Sequence, residues 1–431
     1  MITMFAEISE IIKGREGKFS IRGWLHHKRS SGGILFWLVR DGSGIIQCTL
    51  RKNLMKDFEE LEKLPVESVV EIYGTSKRDK RAPYGYELVV ESVKVLHKAK
   101  EDYPIAKKYH GPDFLLDHRH LYLRSRKMQL ILTIRSRVIQ LIREWFISHG
   151  YKEFQSPIFT AAAVEGGATL FPVKYFDRTV YLTQSWQLYA EAAIASLGKI
   201  FTIAPSFRAE KSRTRRHLTE YWHVEAELPF CDLEGLMKEE EELISFICQK
   251  VALEFEKELK ELGRDPQDLL KVKPPFPRIT YKEAIEILQK SKVKVKYGDD
   301  LGADEEKVLA SKFDIPFFVM YFPKGIKAFY HKPHPKDKSI TLSVDLLAPE
   351  GIGEITGGGQ RCDGYEELLE RIEEEKLKVE DYKWYLDLRK YGSVVHSGFG
   401  LGLERLLMWI LKLDHIRDAI PFPRLINRVY P

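Results

Sequence analysis

Between residues 18 and 98 the sequence reads as a run of short strands with Gly-rich turns, and this constrains the fold more than any other feature. "KFSIRGWLHH", "GILFWLVRDGSGIIQCTL", "SVVEIYGTSK" and "YGYELVVESVKVL" combine β-branched and aromatic residues with turn signals such as "RDGSG". About five strands in ~80 residues suit a small closed barrel. A polar stretch containing Lys and Pro follows, and residues 99–125 read as a linker. From Arg126 the pattern changes. "KMQLILTIRSRVIQLIREWFISHG" places apolar residues at helical spacing and ends on Gly150, a helix stop. A second long helix follows Asp232, and Thr280 with Glu283 carries a capping-box signature. Strands are expected around 200–210, 221–229, 317–321, 326–331 and 340–346. Helices and strands do not alternate. That predicts an α+β domain over 126–431, built on an antiparallel sheet with flanking helices and preceded by the N-terminal barrel over 1–98.

Composition narrows the functional class. The chain has 431 residues, 44% of them hydrophobic, which is ample for more than one core. A net charge of +5 is compatible with a polyanionic partner. Cys48, Cys231, Cys248 and Cys362 lie far apart with no C-x-x-C pair, which argues against a zinc site or a disulfide framework. No apolar run approaches the ~18 residues of a membrane span. A cytoplasmic protein without membrane contact is the expectation.

The stretch "SFRAEKSRTRRHLTEYWHVE", 206–225, is the most informative. Arg208, Lys211, Arg213, Arg215, Arg216 and His217 fall within ten residues, between two strands. In the second strand Tyr221, His223, Glu225 and Glu227 share one face, while Trp222, Val224, Ala226 and Leu228 share the other. A solvated hairpin could carry such charges, but so many cations repel one another unless an anion sits among them. A phosphate-rich ligand resolves the repulsion through charge-assisted hydrogen bonds.

"FRAE", a basic loop, "RHLTE" and an aromatic together resemble motif 2 of the class II aminoacyl-tRNA synthetases. "GFGLGLERLLMWIL", 398–411, is similar to motif 3, and a helix followed by "GYKEFQSPIFT" is similar to motif 1, which the family uses as a dimer interface. The resemblance implies the class II antiparallel sheet and a homodimer. It implies that Arg208 contacts the ATP α-phosphate, that Glu210 reads the adenine amino group and that Tyr221 stacks on the base. His217 approaches the γ-phosphate and Arg405 lies along the phosphates. Arg216 joins this ATP-binding set. Arg208, His217 and Arg405 are the candidate catalytic residues.

"SVDLLAPEGIGEITGGGQR" sets Asp345 and Glu354 beside a glycine cluster, and two carboxylates near polyphosphate suit Mg²⁺. The resemblance places both on the magnesium positions of the aspartate/asparagine subgroup, with Glu354 also in the ATP set. "VEGGATLFPVKYF", "YLTQSWQLYAEAA" and "RKYGSVVHSGFG" resemble the same subgroup. Glu165, Ser185 and Gln187 then hold the substrate's α-amino and α-carboxylate groups. Aspartate enzymes resemble "QSPQ-x-x-K"; here the Lys position is Ala190, followed by Glu191. A carboxamide needs one donor and one acceptor. Arg361 supplies the donor and Glu225 the acceptor, and Glu225 would repel aspartate. The subgroup often has other residues at Trp186, Gly359, Cys362 and Val395, and Trp186 stands beside the pocket.

"GWLHHKRSSGGILFWLVRDGSGIIQ" resembles the subgroup's anticodon-binding OB-fold, in which Arg29, Phe36 and Gln47 match positions that grip the central anticodon base. The resemblance as a whole implies an enzyme of the archaeal asparagine branch. Such an enzyme activates asparagine with ATP and Mg²⁺ and transfers it to the 3′ end of tRNA(Asn). The aspartate branch, with or without discrimination between tRNAs, is the alternative. Nothing in 264–340 reads as chemistry.

Overall fold

The expected N-terminal strands close on themselves. β1 (Gly17–Ser31), β2 (Ile34–Arg40), β3 (Ile45–Arg51), β4 (Val69–Arg78) and β5 (Tyr86–His97) form a closed barrel in the order β1-β2-β3-β5-β4. Strand alternation sorts the side chains. Leu35, Trp37 and Val39 of β2 fill the barrel, while Ile34, Phe36 and Leu38 face outward and are half-buried. The helix Phe58–Lys63 adds Phe58 and Leu61 to the same core. These features belong to a computed structural model that describes residues 5–105, 108–161, 164, 169–211 and 214–431. The chain divides into two units, Met1–Leu115 and Leu116–Pro431.

The second unit contributes β6 (Lys152–Glu153), β7 (Phe159–Thr160), β8 (Pro172–Tyr175), β9 (Arg178–Leu182), β10 (Ile200–Phe207), β11 (Glu220–Pro229), β12 (Arg278–Thr280), β13 (Phe317–Met320), β14 (Pro333–His334), β15 (Asp337–Thr341), β16 (Ser343–Ala348), β17 (Gly353–Gln360) and β18 (His396–Gly402). Its main sheet has eight strands in the order β12-β13-β16-β17-β18-β11-β10-β6. The six central strands run antiparallel to one another, as expected. The two edge pairs, β12 with β13 and β6 with β10, run parallel. Each parallel pair is joined by a crossover that includes helices, the connection parallel strands require.

Two long helices cover one face of this sheet. Arg126–Ser148 starts at Ser125, whose hydroxyl accepts from Met128 N, and gives way to Gly150 at φ +80°, a backbone state that favours glycine. Leu233–Glu254 starts at Asp232, whose carboxylate accepts from Gly235 N at 2.9 Å. Their apolar stripes bury Val138, Leu141, Phe146, Leu243 and Ile247 with Val224, Ala226 and Leu228 of β11. The Thr280–Glu283 capping box forms as expected and opens the helix Tyr281–Lys290.

Two strand expectations need correction. Residues 326–331 do not form a strand: Lys324–Ile326 is a 3₁₀ turn, and Phe329 and Tyr330 bury themselves against Tyr382, Tyr385 and Leu386 instead of joining a ladder. The strand around 340–346 is two, β15 and β16, broken at Leu342. Among the described residues no helix is long and apolar enough to cross a membrane.

Candidate active site

The face of the central sheet opposite the two long helices is a floor of glycines walled by charge. Across four strands one row reads Glu225, Gly400, Gly357, Asp345, and the next reads Glu227, Gly398, Gly359, Ser343. With strands ~4.8 Å apart, Glu225 and Asp345 stand roughly 14 Å from each other, the breadth of a small-molecule pocket. Above this floor opens a cavity of about 780 Å³ lined by Ser185, Gln187, Glu225, Arg361, Asp345 and Glu354, among others. A smaller cavity carries Glu210, His217, Tyr221 and Arg405, and the two share Arg208, His223, Glu354 and Gly400 as lining.

Gly398 is required by what lies over it. Arg361 donates from Nε and Nη2 to the two Glu227 oxygens at 3.0 Å each, and a Cβ on residue 398 would overlap that pair. Gly398→Ala is expected to destabilise the fold by ~1–3 kcal/mol of overpacking, which lowers the melting temperature, and to reduce amino-acid activation by displacing the Arg361–Glu227 pair. Thermal melts and pyrophosphate exchange check it.

At the amino-acid end Glu225 is buried and organised. Ser185 Oγ donates to it, Trp186 N–H donates at 3.0 Å, and His223 Nδ1 lies 3.4 Å away. Burial opposes ionisation, but His223 and the hydrogen bonds outweigh it and hold Glu225 below the usual carboxylate range. Glu225 thereby anchors the N-terminus of the helix Gln187–Leu197. The Trp186 indole turns into an apolar cluster with Ala190, Ile194 and Ile200, and its Nε1 donates to the Phe154 carbonyl at 2.9 Å.

Beneath the pocket runs a buried ionic network. Glu191 accepts from Gln187 Nε2 at 3.0 Å, Tyr385 OH at 2.7 Å, Arg389 Nη2 at 2.5 Å and His396 Nε2 at 2.9 Å, and Arg361 Nε lies 4.0 Å off. Glu191, Glu227 and His396 come close enough to hold a metal, yet Arg361 and Arg389 already compensate the two carboxylates. The network fixes Gln187 and Arg361 from below.

At the nucleotide end, Arg208 follows β10 and stands over Tyr221, its guanidinium 5.8 Å from the ring centroid and 3.8 Å from Glu210. His217 Nε2 is 3.5 Å from Glu210 Oε2. Burial and the Arg405 charge lower the His217 pKa, which makes it a neutral hydrogen-bonding group near pH 7. Arg405 Nη1 donates to Glu354 Oε2 at 3.1 Å. Burial works against Glu354, but Arg405, Lys327 and Arg208 outweigh it and hold the carboxyl at about 2. Arg216 is buried against Glu306 at 2.7 Å.

A divalent cation suits the donor set here. A Cβ on Gly357 would lie 3.2 Å from Glu354 Oε1 and 3.4 Å from Asp345 Oδ1, so the glycine leaves open a spot that both carboxylates flank. Two hard oxygen donors near Arg208 and Arg405 match Mg²⁺, which keeps few protein ligands and retains water.

Of the site residues expected from sequence, Ser185, Gln187, Glu225, Arg361, Arg208, Glu210, His217, Tyr221, Arg405, Asp345 and Glu354 line these joined cavities. Glu165 lies outside the described residues. Glu306 and Lys327 also enter the site, from a region where sequence gave no sign of chemistry; both are set there by tertiary folding alone. Glu227 was visible on the polar face of β11, but its pairing with Arg361 was not.

On the barrel, Arg29 and Phe36 are direct cross-strand partners, with the guanidinium 4.4 Å from the ring centroid. Gln47 lies on β3 opposite Leu38 and donates to Glu87 at 3.1 Å.

Comparison with known proteins agrees with both units. The family described as tRNA synthetases class II (D, K and N) matches residues 111–426, and the OB-fold nucleic acid binding domain matches 19–96. An asparagine--tRNA ligase of Thermoplasma acidophilum is 53% identical over 416 residues, 96% of each chain. An asparaginyl-tRNA synthetase from Pyrococcus horikoshii, solved in complex with asparaginyl-adenylate, is similar with a TM-score of 0.95 and 49% identity over 100% of both chains. An aspartyl tRNA synthetase from Entamoeba histolytica is more distant, with a TM-score of 0.84 and 28% identity over 100% of this chain and 93% of that one.

Proposed function

We propose, for a chain that belongs to the class II tRNA synthetases (D, K and N), that it is an asparagine--tRNA ligase. The observation that carries the choice of amino acid is the ionised, buried Glu225 on a floor where Arg361 is already paired with Glu227. Such a pocket offers an acceptor to a carboxamide NH₂ and, from the guanidinium's remaining N–H groups, a donor to its oxygen. A substrate carboxylate would meet Glu225 as a like charge.

The chemistry has two steps. A carboxylate oxygen of asparagine attacks the ATP α-phosphorus; the new P–O bond forms as the bond to the β-phosphate oxygen breaks, and pyrophosphate leaves. No protein base is needed, because the nucleophile is already ionised. Arg208 stabilises the transferring group, and His217 and Arg405 hold the departing pyrophosphate, with Arg216 supporting this end. Glu210 and Tyr221 hold the adenine, and Ser185, Gln187 and Glu165 hold the amino acid's α-groups. Asp345 and Glu354 would hold Mg²⁺, which supplies charge neutralisation for the phosphates. A ribose hydroxyl of the terminal tRNA adenosine then takes the asparaginyl group, and AMP leaves. Exchange of labelled pyrophosphate into ATP that depends on added asparagine tests the first step; no dependence on asparagine would refute the assignment.

The barrel of residues 1–98 reads the anticodon of tRNA(Asn), joined through 99–125 to the catalytic region 126–431. Phe36 is outward-facing and backed by Arg29, a platform on which a base can stack. Phe36→Ala is expected to raise the KM for tRNA by about 5- to 100-fold, from ~1–3 kcal/mol per stacked base. Charging kinetics measure it, with tRNA-independent pyrophosphate exchange as the reference. The enzyme acts as a cytoplasmic homodimer.

A further inference from the structure

Each of three carboxylates at the nucleotide end holds a cation of the chain itself. Glu306 has Arg216, Glu354 has Arg405, and Asp345 has Lys327. The third pair differs from the other two. Lys327 Nζ donates to both Asp345 oxygens, at 2.7 Å each, so one ammonium covers both donor atoms of that carboxylate. The same Nζ lies 4.0 Å from the Phe322 ring centroid, which walls it on another side. Asp345 is also one of the two carboxylates flanking the open spot above Gly357. A cation arriving there meets Lys327 as a like charge and a competitor for its ligand.

Lysine is suited to exchange. Its charge is compact and sits on a flexible stem, whereas the fork of an arginine is fixed. The cavity that Lys327 lines is also lined by Arg208, a phosphate ligand in the reading above. ATP phosphates entering it give the ammonium a second anion to pair with.

We propose that Lys327 is a built-in counter-cation that keeps a divalent ion off Asp345 until nucleotide arrives. The proposal rests on the reading of Asp345 and Glu354 as the metal's carboxylates. It makes metal and nucleotide binding positively coupled, each strengthening the other by the same factor.

The test is Mn²⁺ binding to the full-length, nucleotide-free enzyme, followed through the electron paramagnetic resonance signal of free Mn²⁺. Lys327→Met keeps the stem and removes the charge. It is expected to bind Mn²⁺ at least about tenfold more tightly than wild type, the order that follows from deleting one like charge a few ångström away in a partly solvated cavity. Lys327→Arg, which keeps the charge, is expected to bind as weakly as wild type. Adding Asp345→Asn to Lys327→Met is expected to erase the gain. Lys327→Gln serves as the second neutral variant if Lys327→Met melts early. With a non-hydrolysable ATP analogue present, wild type is expected to tighten its hold on Mn²⁺ more than Lys327→Met does. If folded neutral variants bind Mn²⁺ no better than wild type while wild type binds it with the analogue, the counter-cation role is refuted and the metal site stands. If wild type binds no Mn²⁺ even with the analogue, the metal assignment falls and takes this inference with it.

Discussion

Replacing Arg208 by alanine is expected to reduce asparagine-dependent pyrophosphate exchange by at least about 10³-fold, the scale on which an arginine stabilises a transferring phosphoryl group. The fold should survive. Arg208 stands just past the end of β10, outside the sheet's ladder and facing the cavity, with its side chain 31% exposed. Its 3.8 Å approach to Glu210 is longer than a hydrogen bond, and the residue belongs to no hydrophobic core. Circular dichroism and the melting temperature should stay close to wild type while exchange disappears. Lysine at this position keeps the charge and loses the fork, so Arg208→Lys should restore only part of the rate. Near-normal exchange by a folded Arg208→Ala protein would refute the placement of the α-phosphate at this residue.

The second large effect concerns choice of amino acid. Glu225→Gln is expected to cut the preference for asparagine over aspartate by about 10²-fold or more, out of the ~10⁴ that a hydrogen-bonding site can give between near-isosteres. Both sides of the ratio should move. Asparagine loses an ionised acceptor, and aspartate loses a like charge. Some stability should go as well, because Trp186 N–H donates to this carboxylate and a glutamine must present its oxygen there to keep the bond. Exchange rates with each amino acid, measured on wild type and variant, check the prediction. An unchanged ratio in Glu225→Gln would move the discrimination to other groups.

Much of this arrangement was legible in the sequence, for reasons that are local. The alternation "TEYWHVEAE" places His223, Glu225 and Glu227 on one face of β11 whatever the tertiary fold, and the structure keeps them there. The helix Arg126–Ser148 is announced by its apolar spacing and ended by a glycine that adopts positive φ. What the sequence hid is long-range. Lys327 meets Asp345 only because the segment after the 3₁₀ turn Lys324–Ile326 folds back over β16, and apolar "KAFY" reads locally as a strand. Glu306 reaches Arg216 across 90 residues. The Arg361–Glu227 pair depends on β17, β18 and β11 lying side by side, with glycine at 398 to make room. The parallel edge strands were missed for a similar reason: β6 and β12 are two and three residues long, too short for any pattern to show.

The central claim is that this site takes the carboxamide and refuses the carboxylate. Charging of tRNA with asparagine and with aspartate, side by side at equal concentrations, tests it most directly. The account predicts asparaginyl-tRNA as the product, with kcat/KM for aspartate lower by about 10³- to 10⁴-fold. Equal use of the two amino acids, or a preference for aspartate, would contradict it.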